Sequence, residues 1–188
     1  MHSLLNSSRC DNDFITFSLA PLSSPSIMTI KHLMSKYRRH SWLNCGTLLG
    51  WWRQCSIIPN DPDIDMLHWN SMDIYPDIIQ ELIDHPEIYT VTKAKIDYLP
   101  SKRVLGKQEG MYIKVRVKNG RSVDLYFNYE RKVYDVRHQP GKVIKDFDFT
   151  DKVCSADLHG YLVYVPCSDV KIQEYNIVYY GNNYMNPK

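Results

Sequence analysis

No run in this 188-residue chain approaches the roughly 18 to 20 apolar residues of a membrane span, and no signal-peptide pattern opens it. An excess of one charge is lacking too. Lys and Arg number 23 against 21 Asp and Glu, and the net charge of +2 is too balanced for a general nucleic-acid binder. Cys10, Cys45, Cys55, Cys154 and Cys167 show no Cys-x-x-Cys spacing and no paired His ligands, which argues against a zinc site. Their odd count argues against a complete disulfide framework. Cys154 and Cys167 flank a candidate strand pair and could form a bridge in an oxidising lumen; two buried thiols are the alternative. Internal repeats and low-complexity tracts are absent. What remains, 44% hydrophobic and 23% charged residues, suits one globular domain with a sizeable core.

The chemistry-bearing stretch is Trp42-Leu43-Asn44-Cys45-Gly46-Thr47-Leu48-Leu49-Gly50-Trp51-Trp52-Arg53, followed closely by Asp61-Pro62-Asp63-Ile64-Asp65. It reads as a short buried strand, a tight turn into a helix beginning near Thr47, and a second strand carrying carboxylates. On that helix Gly46, Gly50 and Arg53 share one stripe, while Leu48, Leu49 and Trp52 point elsewhere. Glycines on the stripe let another group approach the backbone. With Thr47 as candidate cap, unsatisfied N–H groups at the helix start attract an anion, and Arg53 could reach its outer oxygens. A Gly-rich turn serving helix packing is the alternative.

Residues two apart on a strand share a face, so Asp61, Asp63 and Asp65 project together while Ile64 and Met66 enter the core. A later strand, Arg121 to Phe127, alternates in the same way and can set Asp124 beside them. Two carboxylates about 4 Å apart repel by roughly 4 kcal/mol at an effective dielectric of 20. A hard divalent cation removes that penalty, because Mg²⁺ and Mn²⁺ take oxygen ligands. The competing explanation is a solvated acidic turn after Pro59.

The stretch Trp42 to Met66 resembles the signature of the LicD and fukutin family of nucleotidyltransferase-fold enzymes, closest to its fukutin branch. Val123 to Glu130, Val163 to Cys167 and Tyr180 to Pro187 are similar to further family blocks in the expected order. The resemblance implies an α+β, nucleotidyltransferase-like fold with a mixed, mostly antiparallel sheet and flanking helices. It implies transfer of a substituted phosphate, such as ribitol phosphate or phosphocholine, from a CDP-linked donor (CDP-ribitol or CDP-choline type) to a hydroxyl of a glycan or glycoprotein. Asp63, Asp65 and Asp124 match the metal ligands, for Mg²⁺ or Mn²⁺. Gly46, Thr47, Gly50 and Arg53 match the nucleotide- and phosphate-facing turn, and Asp61 or Asp124 is the candidate base. It also implies a Golgi or secretory-lumen setting, where such proteins are held by an anchor not seen in this chain. A catalytically silent relative, serving as glycan-binding or assembly subunit, is the alternative reading.

Around that centre the expected organisation is a loosely ordered leader over residues 1–24 and one domain over 25–188. Ser24 and Pro25 start a helix whose stripe is Ile27, Ile30, Leu33, Met34 and Tyr37, with Lys36, Arg38, Arg39 and His40 at its end. Tyr75 to His85 is a second helix with Ile78, Ile79, Leu82 and Ile83 inward. Ile88 to Leu99 is a strand, and a basic loop spans Pro100 to Gly110. Met111 to Val117 and Ser122 to Phe127 form a hairpin turned at Asn119-Gly120, with Lys114 and Arg116 facing either Asp124 or solvent. A polar hairpin from Tyr129 to Val143 and an acidic edge strand at Asp146 to Asp151 follow. Tyr161 to Val165 is a strand, and a helix from Val170 to Tyr179 carries Ile172, Tyr175 and Tyr179 on its core face before stopping at Gly181.

Overall fold

In the computed structural model the residues described are 20–37, 41–69, 72–86, 88–96, 111–128, 133–134, 143–145, 153–159 and 161–186. The basic loop, the acidic stretch 146–151 and the Arg38–His40 cluster fall outside them.

Helix α1 (Ala20–Lys36) begins five residues before the expected start, so Ser24 lies inside it and Pro25 is an interior residue. Proline's fixed φ is already helical, but in the helix interior it forfeits the bond to the carbonyl four residues back and crowds that carbonyl with its ring. Burial of Ser26, Ile27, Ile30 and Leu33 then holds the helix, and Thr29 Oγ1 donates back to the Pro25 carbonyl at 2.9 Å. Lys36, at its end, pairs with Glu81.

Strand β1 (Trp42–Leu43), helix α2 (Cys45–Gln54) and strand β2 (Asp63–Trp69) come next. Helix α3 (Tyr75–Asp84) buries Ile78 and Leu82, with Ile79 partly buried. Ile83, expected inward, is 55% exposed, because a residue one step past Leu82 is rotated 100° off the buried stripe. Then follow β3 (Tyr89–Ile96), β4 (Met111–Val117), β5 (Ser122–Asn128), β6 (Val133–Tyr134), β7 (Val143–Lys145), β8 (Val153–Leu158), β9 (Tyr161–Pro166) and α4 (Asp169–Tyr180). Helix α4 stops at Gly181, whose φ is 81°.

Seven strands form one sheet in the order β3-β4-β5-β2-β1-β9-β8. The β2–β5 and β1–β9 pairs are parallel and the other four pairs antiparallel, which gives the expected mixed, mostly antiparallel sheet. The β4–β5 hairpin turns at Asn119, whose φ of 58° is the left-handed conformation an Asn-Gly turn requires. Strands β6 and β7 pair separately as the arms of the expected polar hairpin.

Helix α1 packs on β2 and β4, α3 on β3, α2 on β2 and α4, and α4 on β9. Ile64 and Met66 of β2, Ile113, Val115 and Val117 of β4, and Val123, Leu125 and Phe127 of β5 join Ile27, Ile30, Leu33, Ile78 and Leu82 in the core. Every one of those strand residues alternates with a residue of the opposite face, and that opposite face carries the charged groups. Cys154 and Cys167 form a disulfide with Cα atoms 4.9 Å apart, joining β8 to the end of β9. Cys55 is also disulfide-bonded, and among the described residues Cys45 keeps its thiol. No helix among the described residues is long and apolar enough to cross a membrane.

Candidate metal and phosphate site

The site begins where β1 gives way to α2. Asn44 is extended, with φ −131° and ψ 167°, and its N–H donates to the Asp65 carbonyl at 3.1 Å. Cys45 then takes a left-handed turn, φ 38°, and the helix starts there, two residues before the expected Thr47. Thr47 is not the cap. It is fully buried, and its Oγ1 accepts the Asp65 N–H at 2.8 Å, so it fixes the acidic strand against the helix. Asn44 occupies the cap position but makes no side-chain cap bond. Its Oδ1 accepts instead from the Tyr175 hydroxyl at 2.5 Å, and that hydroxyl accepts the Cys45 N–H at 3.2 Å. The Gly46 N–H donates to Asp65 Oδ2 at 3.1 Å. The Cys45 and Gly46 N–H groups, at the start of the helix as it forms, are therefore held by Tyr175 and Asp65.

The glycine stripe of α2 is covered by the chain's own return loop. A Cβ on Gly46 would run into Asp61 Oδ2, and Asp65 Oδ2 lies 3.5 Å away. A Cβ on Gly50 would sit 2.6 Å from the Ser56 carbonyl oxygen and 2.9 Å from the Ile58 nitrogen. Gly46 thus faces carboxylates, while Gly50 gives passage to backbone, the packing role. Arg53, half-buried in the last turn, is about 10 Å along the axis from Gly46.

Asp61, Asp63 and Asp65 each offer an oxygen, and the three oxygens lie within 4.8 Å of one another. Asp63 is 7% exposed and Asp65 2%. Burial pushes Asp61 up to about 6, with the hydrogen bond and charge of Asp63 adding to it and the Arg121 charge opposing. Three carboxylates in so small a volume form an oxygen-only, anionic donor set of the kind a hard divalent cation takes.

Asp124 arrives by register. Strands β2 and β5 run parallel with Asp65 beside Asp124, which puts the two on the same face. Asp124 is 1% exposed and is joined to the group through Lys114, which stands opposite it on β4. Lys114 Nζ is 2.5 Å from Asp63 Oδ2 and 3.1 Å from Asp124 Oδ1. Burial pulls the Lys114 pKa down, but the bonds to Asp63 and Asp124 outweigh it and leave the pKa raised. The tight trio is therefore Asp61, Asp63 and Asp65, whereas the expected ligand set was Asp63, Asp65 and Asp124. Asp61 was expected to project together with Asp63 and Asp65 and to be a candidate base.

One participant was left open by the sequence and two were not picked out. Lys114 was left between two faces; its place opposite Asp124 follows once the Asn119-Gly120 turn fixes the hairpin register. Tyr126 donates to Asp65 Oδ1 at 3.3 Å, a contact implied by its two-residue offset from Asp124. Tyr175 read only as a core residue, and nothing local signals where its hydroxyl goes. Tyr180 lies near the same groups: burial raises its pKa far above the ordinary value, with charge on Cys45, Asp65 and Asp61 adding to it.

A mixed open sheet with flanking helices, carrying an acidic trio at the start of a central strand, defines an α+β domain of the nucleotidyltransferase type. The chain belongs to the LicD/FKTN/FKRP family, whose nucleotidyltransferase-domain model matches residues 38–168. It is 30% identical over 151 residues to the ribitol-5-phosphate transferase FKTN of Mus musculus, covering 78% of this chain and 29% of that protein. The Homo sapiens FKTN is 28% identical over the same length and shares. The uncharacterized protein T07A5.1 of Caenorhabditis elegans is 29% identical over 176 residues, 85% of this chain and 41% of that one. The chain thus spans well under half the length of these relatives.

Proposed function

We propose that this domain is a metal-dependent phosphotransferase, moving a substituted phosphate such as ribitol phosphate or phosphocholine from a CDP-linked donor to a glycan hydroxyl. The observation that carries the reading is the convergence of Asp61, Asp63 and Asp65 within 4.8 Å beside the side-chain-free position at Gly46. Family membership and the name of the FKTN relatives, ribitol-5-phosphate transferase, support the class of group transferred.

Asp63 and Asp65 would hold Mg²⁺ or Mn²⁺, which when bound supplies neutralisation of charge on the transferring phosphate, and Asp61 at the exposed edge of the trio is left for proton transfer. Asp124, oriented by Lys114, completes the acidic wall. Gly46 leaves room for the Asp61 and Asp65 carboxylates to gather, Thr47 keeps Asp65 in line, Gly50 lets α2 sit close, and Arg53 is available to outer oxygens of the donor. The acceptor hydroxyl oxygen forms the new bond to phosphorus, the bond to the bridging oxygen of the departing CMP breaks, and a carboxylate takes the hydroxyl proton. Asp61 is the carboxylate for that last task, being the most exposed of the four. The Cys154–Cys167 bridge fits an oxidising compartment such as the secretory lumen.

Purified protein is incubated with Mn²⁺ and CDP-ribitol, CDP-glycerol or CDP-choline, and CMP release is followed. One donor should release CMP, and Asp63→Ala with Asp65→Ala should lower the rate more than tenfold. A rate surviving within tenfold would refute the assignment. Absence of any metal-dependent CDP binding would favour a silent, glycan-binding relative.

A further inference from the structure

Helix α4 sends a buried hydroxyl into the turn that leads to the acidic trio, and the proposed chemistry makes no use of it. Tyr175 is fully buried, with its ring centre 4.5 Å from that of Tyr179. A phenylalanine would fill the same space with no O–H to satisfy. The hydroxyl is instead engaged on both sides: it donates to Asn44 Oδ1 at 2.5 Å and accepts the Cys45 N–H at 3.2 Å, across 131 and 130 positions of chain.

The turn it grips is constrained from its other side as well. The Asn44 N–H donates to the Asp65 carbonyl and the Gly46 N–H to Asp65 Oδ2, so both residues flanking Cys45 are bound to one aspartate. To serve two points so close together the backbone turns left-handed, and Cys45 takes φ 38°, a region that residues with a Cβ occupy at a cost. Such a conformation persists only where its surroundings hold it. Asp65 holds one side and Tyr175 the other. Asn44 also forgoes its local option. Asparagine is among the preferred helix caps, and its side-chain oxygen ordinarily accepts an N–H of the first turn. It makes no cap bond in α2, and its oxygen goes to Tyr175. Without that hydroxyl, Oδ1 is released to the N–H groups of the first turn, Gly46 among them, and the turn is free to relax. The bond then lost is the one that fixes Asp65 Oδ2. Asp65 Oδ1 keeps its bond from Tyr126 at 3.3 Å, and the carboxylate can swing about that contact.

We propose that Tyr175 is a positioning residue: its hydroxyl holds the left-handed turn at Cys45 and, through the Gly46 N–H, sets the Asp65 carboxylate for a divalent cation. This role rests on the metal-site part of the transferase reading and on none of its donor or acceptor chemistry. Removing a group that bonds directly to a metal ligand costs about ten- to a hundredfold in metal affinity. Tyr175 acts one bond further out, so a smaller loss is expected.

Mn²⁺ is titrated calorimetrically against wild type, Tyr175→Phe, Tyr175→Phe/Cys45→Gly and Ile172→Val, and the urea midpoint of each is measured alongside. Tyr175→Phe should weaken Mn²⁺ binding by about fivefold or more. Glycine adopts a left-handed φ without strain, so Cys45→Gly in that background should restore affinity to within about twofold of wild type, although no hydrogen bond is returned. Ile172→Val trims a fully buried position of the same helix; it should lower the urea midpoint and leave Mn²⁺ affinity within about twofold. Unchanged affinity in Tyr175→Phe, no recovery in the double variant, or an equal loss in Ile172→Val would each overturn the positioning role. A wild type that binds no Mn²⁺ would overturn it together with the transferase reading. If the four proteins follow the expected order but no CDP-linked donor releases CMP, the positioning role stands and the transferase reading falls.

Discussion

Replacing Lys114 by Met removes the one cation shown between two carboxylates, Asp63 at 2.5 Å and Asp124 at 3.1 Å. Methionine keeps the length and apolar stem of the side chain, so the change is one of charge. Stripping one partner from a buried pair costs about 3 to 5 kcal/mol when the remaining charge is fully desolvated. The Lys114 side chain is 30% exposed, so part of that cost is screened and about 2 to 3 kcal/mol is expected. For a domain of this size that is a fall in Tm of roughly 4 to 12 °C. Lys114→Met, Asp124→Asn and the double variant are compared by thermal unfolding in EDTA. The double variant should lose at least about 1 kcal/mol less than the sum of the singles, because each substitution removes the other's penalty. Mn²⁺ should then raise Tm more in Lys114→Met than in wild type, the metal restoring the missing positive charge. A loss under 2 °C, or strict additivity, would show that Lys114 is not the counter-ion of this cluster.

Other outcomes follow from single contacts. Gly50→Ala puts a methyl group 2.6 Å from the Ser56 carbonyl and 2.9 Å from the Ile58 nitrogen, both backbone. It should destabilise the protein by about 1 to 3 kcal/mol, seen as a lower urea midpoint; an unchanged midpoint would place the return loop elsewhere. Burial lowers the His159 pKa, with the Arg121 charge adding and Asp157 opposing, and its ring lies 3.1 Å from Ser56 Oγ. A His lowered on folding contributes stability that is present above the unfolded value of 6.5 and is lost as pH falls through the folded value. Stability should therefore decline between pH 7 and pH 5, and less so in His159→Asn, which tolerates the φ of 57° at this turn. Equal pH slopes would refute the burial. Cys154→Ala with Cys167→Ala opens a loop of sequence separation 13 and should cost about 2 to 3 kcal/mol, measured by urea unfolding without reductant. No change would mean that the bridge is not formed.

Much of the architecture could be read from periodicity. The β4–β5 hairpin followed from Asn119-Gly120, and the alternation of β2 and β5 put Asp63, Asp65 and Asp124 on one face, as their pairing bears out. Local rules failed where long-range contacts decided the outcome. Thr47 looked like a cap because caps are local, but the Asp65 N–H, brought back by a strand 18 residues away, took its hydroxyl. Helix α1 starts at Ala20, five residues ahead of the Ser24-Pro25 start signal. Asp61 gathers with Asp63 and Asp65 as the two-residue spacing predicted, but from the loop before β2 and not from the strand itself. The role of Tyr175 depends on where α4 docks against α2, which no short spacing encodes.

The passage from Asn44 to Asp65 closes on itself: helix, return loop and acidic strand are stitched together by Gly46, Thr47 and the Asn44 N–H, all bonded to Asp65. Three of the four acidic groups thus travel as one cassette, prefabricated by neighbours in the chain. Only Asp124 and Lys114 must be delivered from afar, on the β4–β5 hairpin. A shift in that hairpin's alignment would leave the cassette whole while moving the counter-ion.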